Sequence, residues 1–310
     1  MGTSRKHRWD AVDGVLLLDK PTGMTSNRAL QKVRRLLNAA KAGHTGSLDP
    51  SATGMLPLCF GEATKVCAYL LDADKTYRVT ARLGIATDTG DADGTPVATA
   101  EVPALSRDAW DAVLQGFVGE SLQVPPMYSA LKQDGKRLYE LARKGEEVER
   151  AARPIRIHEI RLLEVSGTRL VFRVRCSKGT YVRTLVEDVA RKVGTVAHTA
   201  RLHRESLGPF RADAMVELAQ LQAEAEQGPG TLMGHLQRPD KALMALPGVM
   251  LDAEQGTKFR GGQAVLPAAE GASGLARAYG PDDDFLGVGE WLPDGRLAPR
   301  RVFQKFEKTP

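Results

Sequence analysis

Residues 43–61 read GHTGSLDPSATGMLPLCFG, with Asp49 near the middle of the stretch. Pro50 disfavours a helical backbone at Asp49 and favours an extended one. Gly43, Gly46 and Gly54 permit tight turns and the close approach of another chain or a ligand. The stretch therefore predicts a shaped loop that presents one carboxylate.

The charges around this loop suggest what it faces. Asp49 is the only carboxylate between Asp19 and Glu62, and the same stretch holds six cations: Lys20, Arg28, Lys32, Arg34, Arg35 and Lys41. Basic surroundings keep a carboxylate ionised, and the cations favour an anionic partner. The alternative is that Asp49 is only a turn residue, because Asp-Pro commonly begins a turn.

The composition is that of a globular protein with one large or two modest domains. The chain has 310 residues, a formal net charge of +5 and a pI of about 9.1, which suits a polyanionic partner without requiring one. Three cysteines form no CxxC pair, so a reducing compartment is expected. The longest aliphatic run, 15–18, is too short to cross a bilayer. Residues 1–10 lack the apolar stretch of a signal peptide and are expected to be a flexible tail.

Apolar periodicity predicts the elements that flank the loop. Residues 14–18 predict a buried strand, and Thr25 or Ser26 can cap a helix to about Ala40. Its apolar residues share one face, whereas Arg28, Lys32 and Arg35 share the other. That basic face is either solvated or in contact with phosphates.

Alternation from Tyr77 to Leu83 predicts a strand with Tyr77 on its apolar face. The next polar segment, 88–94, reads DTGDADG and is interpreted as an acidic turn without a metal, because the positions that an EF-hand needs are wrong.

Helical spacing from Val182 to Val193 predicts a helix that Gly194 ends. Arg183 lies in its first turn, where the helix dipole disfavours a cation by about 0.3–1 kcal/mol. It pairs either with Glu187 one turn later or with a carboxylate elsewhere, for which Asp49 is the candidate. The segment from Arg169 to Arg204 holds nine Lys or Arg residues and two acids, a charge pattern typical of nucleic-acid surfaces.

The residues after about 246 predict a small β-rich second domain. Asp252 and Gln255 form a capping-box pattern before a short helix. Strands are predicted at 285–290 and 297–303, and together these elements are consistent with a barrel.

Five segments together resemble one known family. They are GVLLLDKPTGMTS (14–26), AGHTGSLDPSATGMLPLCFGEATK (42–65), DKTYRV (74–79), PPMYSALK (125–132) and CSKGTYVRTLVEDV (176–189). They resemble the TruB family of tRNA pseudouridine synthases and occur in the family's order. The tail resembles, more weakly, the PUA domain of bacterial members.

The resemblance implies an α+β fold. We expect a catalytic domain over 11–245 with a mixed, largely antiparallel sheet, and a small PUA-like, RNA-binding β-barrel domain over 246–310. It also implies an isomerase that converts the T-arm uridine, usually called uridine 55, of tRNA to pseudouridine. No cofactor, metal, membrane or obligate protein partner is expected, and the enzyme is expected to be a cytoplasmic monomer.

The resemblance also assigns roles to single residues. Asp49 matches the catalytic aspartate, Arg183 its partner and Tyr77 the tyrosine that stacks on the flipped uracil. His44 matches a contact of the displaced T-loop. Tyr181 and Leu202 match pocket residues, and Lys20 lies in the first motif, with either a structural or a contact role.

Two other functions are considered. One is a non-catalytic protein that binds or folds tRNA, against which the joint presence of Asp49, Tyr77 and Arg183 argues. The other is a guide-RNA-dependent, dyskerin-like subunit, against which the short tail argues.

Overall fold

The computed structural model describes residues 8–129, 131–133, 135–268 and 273–304. The strands of the N-terminal part are β1 (Gly14–Lys20), β2 (Ala42–His44), β3 (Thr53–Phe60), β4 (Lys75–Leu83), β5 (Ile85–Thr87), β6 (Pro96–Thr99), β7 (Gly119–Gln123), β8 (Lys132–Gln133), β9 (Lys136–Arg137), β10 (Arg153–Ser166), β11 (Arg169–Cys176), β12 (Ala197–Leu207) and β13 (Val216–Glu217). Those of the C-terminal part are β14 (Gly248–Met250), β15 (Leu275–Tyr279), β16 (Phe285–Trp291) and β17 (Leu297–Val302).

Seven α-helices lie in the described residues. They are α1 (Ser26–Leu36), α2 (Cys67–Leu71), α3 (Arg107–Gln115), α4 (Leu138–Ala142), α5 (Val182–Lys192), α6 (Leu218–Ala225) and α7 (Ala253–Arg260). Three of them, α1, α5 and α7, are at positions that the sequence analysis predicted. Thr25 caps α1 through its side chain, as predicted. The predicted end of α1 near Ala40 is wrong, because Asn38 has a left-handed backbone, with φ at 50°, that stops the helix.

Nine strands of the described chain form one mixed sheet. The order is β13-β1-β3-β12-β4-β11-β10-β7, with β2 paired to β3 at the side. The β1–β13 and β3–β12 pairs are parallel and the others antiparallel. The predicted α+β class with a mixed, largely antiparallel sheet is therefore confirmed.

The two faces of this sheet are covered to different extents. We call the face that carries Leu16, Leu56, Tyr77 and Phe172 the front face, and it forms the main core with α1, α3, α5 and α6. The opposite, back face is covered at β1 and β3, where a second cluster includes Leu17, Met55 and residues of the C-terminal part. Over β4 and β11 the back face is open, because Arg78, Arg82 and Arg173 are exposed.

The C-terminal part contains a four-stranded sheet of order β14-β15-β16-β17. The capping box of Asp252 and Gln255 at the start of α7 is present as predicted. Barrel closure is not seen in the described residues and stays a prediction, as do the domain boundaries. Residues 305–310 of the expected PUA-like domain lie outside the described residues.

The predicted N-terminal tail is described only from residue 8. Its residues 1–7 lie outside the described chain. The Asp10 N–H donates to the Asn38 carbonyl at 2.7 Å, and the Asn38 side chain donates to the Arg8 carbonyl and to Asp10. Among the described residues, no helix is long and apolar enough to cross a membrane.

Candidate active site

Asp49 and Arg183 form an ion pair at the edge of the front face. The distance from Arg183 Nε to Asp49 Oδ2 is 3.0 Å. The Arg183 side chain is 7% exposed and that of Asp49 is 40% exposed, so the arginine is a buried support and the carboxylate faces outward. The predicted pairing with Asp49 is confirmed, and Glu187 is not the partner.

The rest of the guanidinium is held by backbone carbonyls. Arg183 Nη1 donates to the Thr89 carbonyl at 2.7 Å, and Nη2 donates to the Tyr128 carbonyl at 2.6 Å. Three separate segments therefore fix its orientation. This explains how a cation is retained in the first turn of α5, where the helix dipole disfavours it.

The loop that carries Asp49 is fastened on both sides. Ser26 Oγ donates to the Leu48 carbonyl at 3.0 Å and accepts from the Leu48 N–H at 2.8 Å. Lys20 is fully buried, and its Nζ donates to the carbonyls of Met24 at 2.9 Å and Pro50 at 3.4 Å. Lys20 is thus a support of the loop, and burial lowers its pKa to about 8.

Gly54 lets β12 approach β3 directly behind the loop. A Cβ at Gly54 would lie 2.3 Å from the Arg204 carbonyl oxygen, and its φ is +98°. No other residue is accommodated there without moving a strand.

The pKa of the Asp49 carboxyl depends more on its partial burial than on the cations around it. Burial raises the pKa of the Asp49 carboxyl above its usual range, and the nearby Asp91 adds to this. Arg183 and Lys20 lower it, but by less. The direction of the shift is therefore set by desolvation of the carboxylate, which outweighs the attraction of the cations.

Asp91 is a second carboxylate that the sequence analysis treated only as part of a turn. It lines the same pocket as Asp49, Arg183 and Leu202, and it is buried. Its Oδ1 accepts from Thr89 Oγ1 at 2.6 Å and from the Asp93 N–H at 3.1 Å. The acidic turn therefore supplies the pocket wall. Among the described residues, no three His, Cys, Asp or Glu side chains are grouped as a metal site.

The pocket at Asp49 is small in this structure. Its other lining residues are Ser51, Ala52, Thr199, Ala200 and Arg201. The cavity has a volume of about 10 Å³, which is room for about one water molecule. A planar six-membered ring can enter only if lining side chains move.

Tyr77 and Tyr181 do not line this cavity, yet both lie within the electrostatic reach of Asp49. Burial raises the pKa of Tyr77 and of Tyr181, and the Asp49 carboxylate raises both further. The Tyr181 backbone is fixed by Gln123, whose Oε1 accepts from the Tyr181 N–H at 2.8 Å. Both phenols are therefore neutral hydroxyls at pH 7.

His44 lies apart from this group. It is on β2, opposite Leu58, and burial lowers its pKa, with a further contribution from Arg204. Its Nδ1 is buried and has no hydrogen-bond partner among the described residues.

Arg204 is the supporting residue that the sequence analysis missed. It is 1% exposed, and its Nε donates to the Met55 carbonyl at 2.7 Å while Nη2 donates to the Gly46 carbonyl at 2.8 Å. It also lies near the Tyr77 hydroxyl, and its charge lowers the pKa of that group. A register shift between Thr199 and Arg201 turns Arg204 to the front face, so simple alternation along β12 could not identify it.

Comparisons with known proteins agree with the resemblance. Residues 34–182 match the TruB family pseudouridylate synthase N-terminal domain, 183–244 the tRNA pseudouridylate synthase B C-terminal domain, and 247–303 the pseudouridine synthase II TruB C-terminal domain. A protein of Aromatoleum aromaticum named tRNA pseudouridine synthase B is 54% identical, over 96% of this chain and 94% of its own. The chain belongs to the TruB family.

Other relatives show how broad this TruB similarity is. A tRNA pseudouridine synthase B of Hydrogenovibrio crunogenus is 49% identical, and the match covers 96% of each chain. Among solved structures, a chain in the crystal structure of a Cbf5-Nop10-Gar1 complex matches with a TM-score of 0.74 and 27% identity, over 95% of this chain and 85% of that one. The match to the two tRNA pseudouridine synthase B relatives, at 49–54% identity over 96% of this chain, is stronger than the match to the Cbf5-Nop10-Gar1 chain.

Proposed function

We propose that this protein converts uridine to pseudouridine in the T-arm loop of tRNA, at position 55, with Asp49 as the nucleophile. The observation that carries the proposal is the Asp49–Arg183 pair, in which a buried, fixed guanidinium holds an outward-facing carboxylate at 3.0 Å. Relatives at 49–54% identity bear the name of a tRNA pseudouridine synthase.

The reaction breaks the N1–C1′ bond of uridine and forms a C5–C1′ bond. The proton on C5 leaves and N1 gains a proton, so the reaction is balanced without an oxidant, a reductant or water. It requires a nucleophile that is ionised at the working pH. The Asp49 carboxylate has this form when it accepts the hydrogen bond from Arg183.

The remaining predicted residues have roles that agree with their surroundings. Tyr77 is assigned to stack on the flipped uracil, and its raised pKa favours a hydrogen-bond donor over a base. Leu202 and Tyr181 are assigned to the uridine pocket. The unsatisfied Nδ1 of His44 suits a contact with the displaced loop, since an unpaired buried polar atom is costly.

The substrate base must be flipped out of a folded loop, which costs a few kcal/mol. The exposed cations of α1, Arg28 and Arg35, are assigned to phosphate contacts that offset this cost. Lys32, which is half-buried, is assigned with them. We infer a cytoplasmic, monomeric enzyme that works without guide RNA, metal, nucleotide or obligate protein partner.

The test is to incubate the pure protein with an unmodified T-arm stem-loop transcript in EDTA and to map pseudouridine. Product is expected at the position-55 uridine and nowhere else. Activity that EDTA abolishes and a divalent ion restores, with RNA folding controlled, would contradict the proposed independence from metal. Absence of product with all conditions varied would contradict the activity itself.

A further inference from the structure

The open part of the back face carries like charges directly opposite one another. In the sheet register Arg161 on β10 is opposite Arg173 on β11, and Arg173 is opposite Arg78 on β4. Arg169 is likewise opposite Arg82. Side chains at directly opposite positions point to the same face and lie about 4.5–5.5 Å apart at Cβ, where like charges destabilise the sheet.

Carboxylates compensate only part of this charge. Arg173 pairs with Glu205 at 2.6 Å and Arg169 pairs with Glu164 at 3.3 Å. Within the described part of the chain, Arg78, Arg82 and Arg161 have no ion-pair partner, and all three are exposed. Repulsion between these arginines therefore destabilises the sheet, and a bound anion would reduce that repulsion.

This basic surface is distinct from the pocket at Asp49. Side chains alternate between faces along a strand, so Arg78 points away from the front face to which its neighbour Tyr77 belongs. The row Arg161–Arg173–Arg78 crosses three strands, and His203 continues it on a fourth. Four strands span roughly 14 Å, over which a nucleic-acid backbone presents several phosphates.

We propose that this back-face arginine surface, centred on Arg78, Arg82 and Arg161, binds the phosphate backbone of a second RNA segment, outside the T-arm loop. The inference rests on the proposed function for the class of partner. Arginine suits phosphate because its planar donors match phosphate oxygens and it stays charged at every working pH. The T-arm loop at the front pocket leaves this surface free for another part of the same RNA.

The test measures how affinity depends on salt for full-length tRNA transcript and for the T-arm stem-loop alone. In Arg78→Gln/Arg161→Gln, two lost phosphate contacts should reduce the log–log slope by about 1.4–1.8, from about 0.7–0.9 each. The reduction is expected with full-length tRNA and not with the stem-loop. Arg78→Lys/Arg161→Lys keeps both charges and should retain most of the slope.

A matched control removes two charges elsewhere. Arg211→Gln/Lys241→Gln eliminates two exposed cations that lie before the PUA-like domain and outside the arginine rows, and it should leave the slope unchanged. An equal reduction in this control would attribute the effect to net charge and overturn the proposal. So would an unchanged slope in the arginine variant, or an equal reduction with the stem-loop.

The measurement separates this inference from the proposed function. Binding slopes require no chemistry, so a protein that forms no pseudouridine can still show the arginine-dependent slope. Conversely, an active enzyme whose slope is unaffected by Arg78→Gln/Arg161→Gln refutes only the second surface.

Discussion

The buried guanidinium of Arg204 donates to the carbonyl of Gly46 at 2.8 Å, three residues before Asp49. The same side chain holds β3 at Met55 and lies near the hydroxyl of Tyr77, whose pKa it lowers. One side chain thus links the carboxylate loop, the neighbouring strand and the aromatic residue assigned to the uracil.

We expect Arg204→Gln to lower the single-turnover rate strongly and to change tRNA affinity little. It leaves buried carbonyls without donors, at about 1–3 kcal/mol each in stability. Rates at saturating RNA and urea unfolding of the same preparations test this. Arg204→Lys should recover part of the rate, and the exposed Arg211→Gln serves as the control. If Arg204→Gln loses stability but keeps the normal single-turnover rate, the role of Arg204 is structural only.

Asp49→Asn should abolish detectable pseudouridine, because it keeps the shape of the side chain but removes the charged oxygen pair. Affinity for tRNA should stay within about tenfold, or roughly 1.4 kcal/mol. Product mapping and filter binding on the folded variant test this. Pseudouridine formed at a substantial fraction of the normal single-turnover rate would refute the assignment.

Arg183→Lys keeps the charge but cannot reach Asp49 and the carbonyls of Thr89 and Tyr128 at once, since an ammonium lacks the planar fork. We expect a much slower chemical step with little effect on binding. Comparison of single-turnover rate with dissociation constant is the measurement. A rise in the dissociation constant at an unchanged rate would instead make Arg183 a binding residue.

The pH dependence follows from the raised pKa of Asp49. If the carboxylate is the active form, the rate rises with pH through this pKa. The rising, acidic limb of the pH–rate profile should therefore have its midpoint above the usual 3.8. Asp91→Asn retains an oxygen to accept from Thr89 and the Asp93 N–H but removes a charge that raises this pKa. The limb should move to lower pH. Asp93→Asn, an exposed change of equal charge, is the control, and a limb that moves upward would contradict the argument.

Gly54→Ala should destabilise the protein by about 1–3 kcal/mol, because its Cβ meets the Arg204 backbone. Gly23→Ala is matched to it, since Gly23 also has a positive φ, +79°, but nothing within 4 Å. It should show only the conformational cost, about 1–2 kcal/mol. Thermal unfolding compares the two, and a smaller loss for Gly54→Ala would contradict the close contact.

The sequence predicted features that depend on local pattern. Alternation located β4, a cap located the start of α1, and a cation in the first turn of α5, where the helix dipole disfavours it, pointed correctly to Asp49. The first two succeed because periodicity and capping act within a few residues. The Arg183–Asp49 pair is a distant contact, and it was predicted because a cation at an unfavourable helix end needs an anion and because both residues match the family's motifs.

Other features that depend on distant contacts were not predictable. The burial that raises the pKa of Asp49 arises only when four segments meet, namely 49–52, Asp91, Arg183 and 199–202. Asp91 enters the pocket because the Gly90 carbonyl accepts from the Thr199 N–H at 2.9 Å. Arg204 faces inward because of a bulge. The rows of opposed arginines depend on how neighbouring strands are paired, and the sequence of one strand does not reveal that pairing.

The hydrophobic cluster behind β1 and β3 has a consequence for how the chain comes apart. Phe285, Val288 and Phe303 of the C-terminal part are buried in it together with Leu17 and Met55, and the Lys65 ammonium donates to the Val302 carbonyl at 2.8 Å. Cutting the chain near residue 248 would therefore uncover the interior of its first 245 residues. The two parts should unfold in a single cooperative transition in calorimetry. Limited proteolysis near residue 248 should not leave a stable fragment of either part.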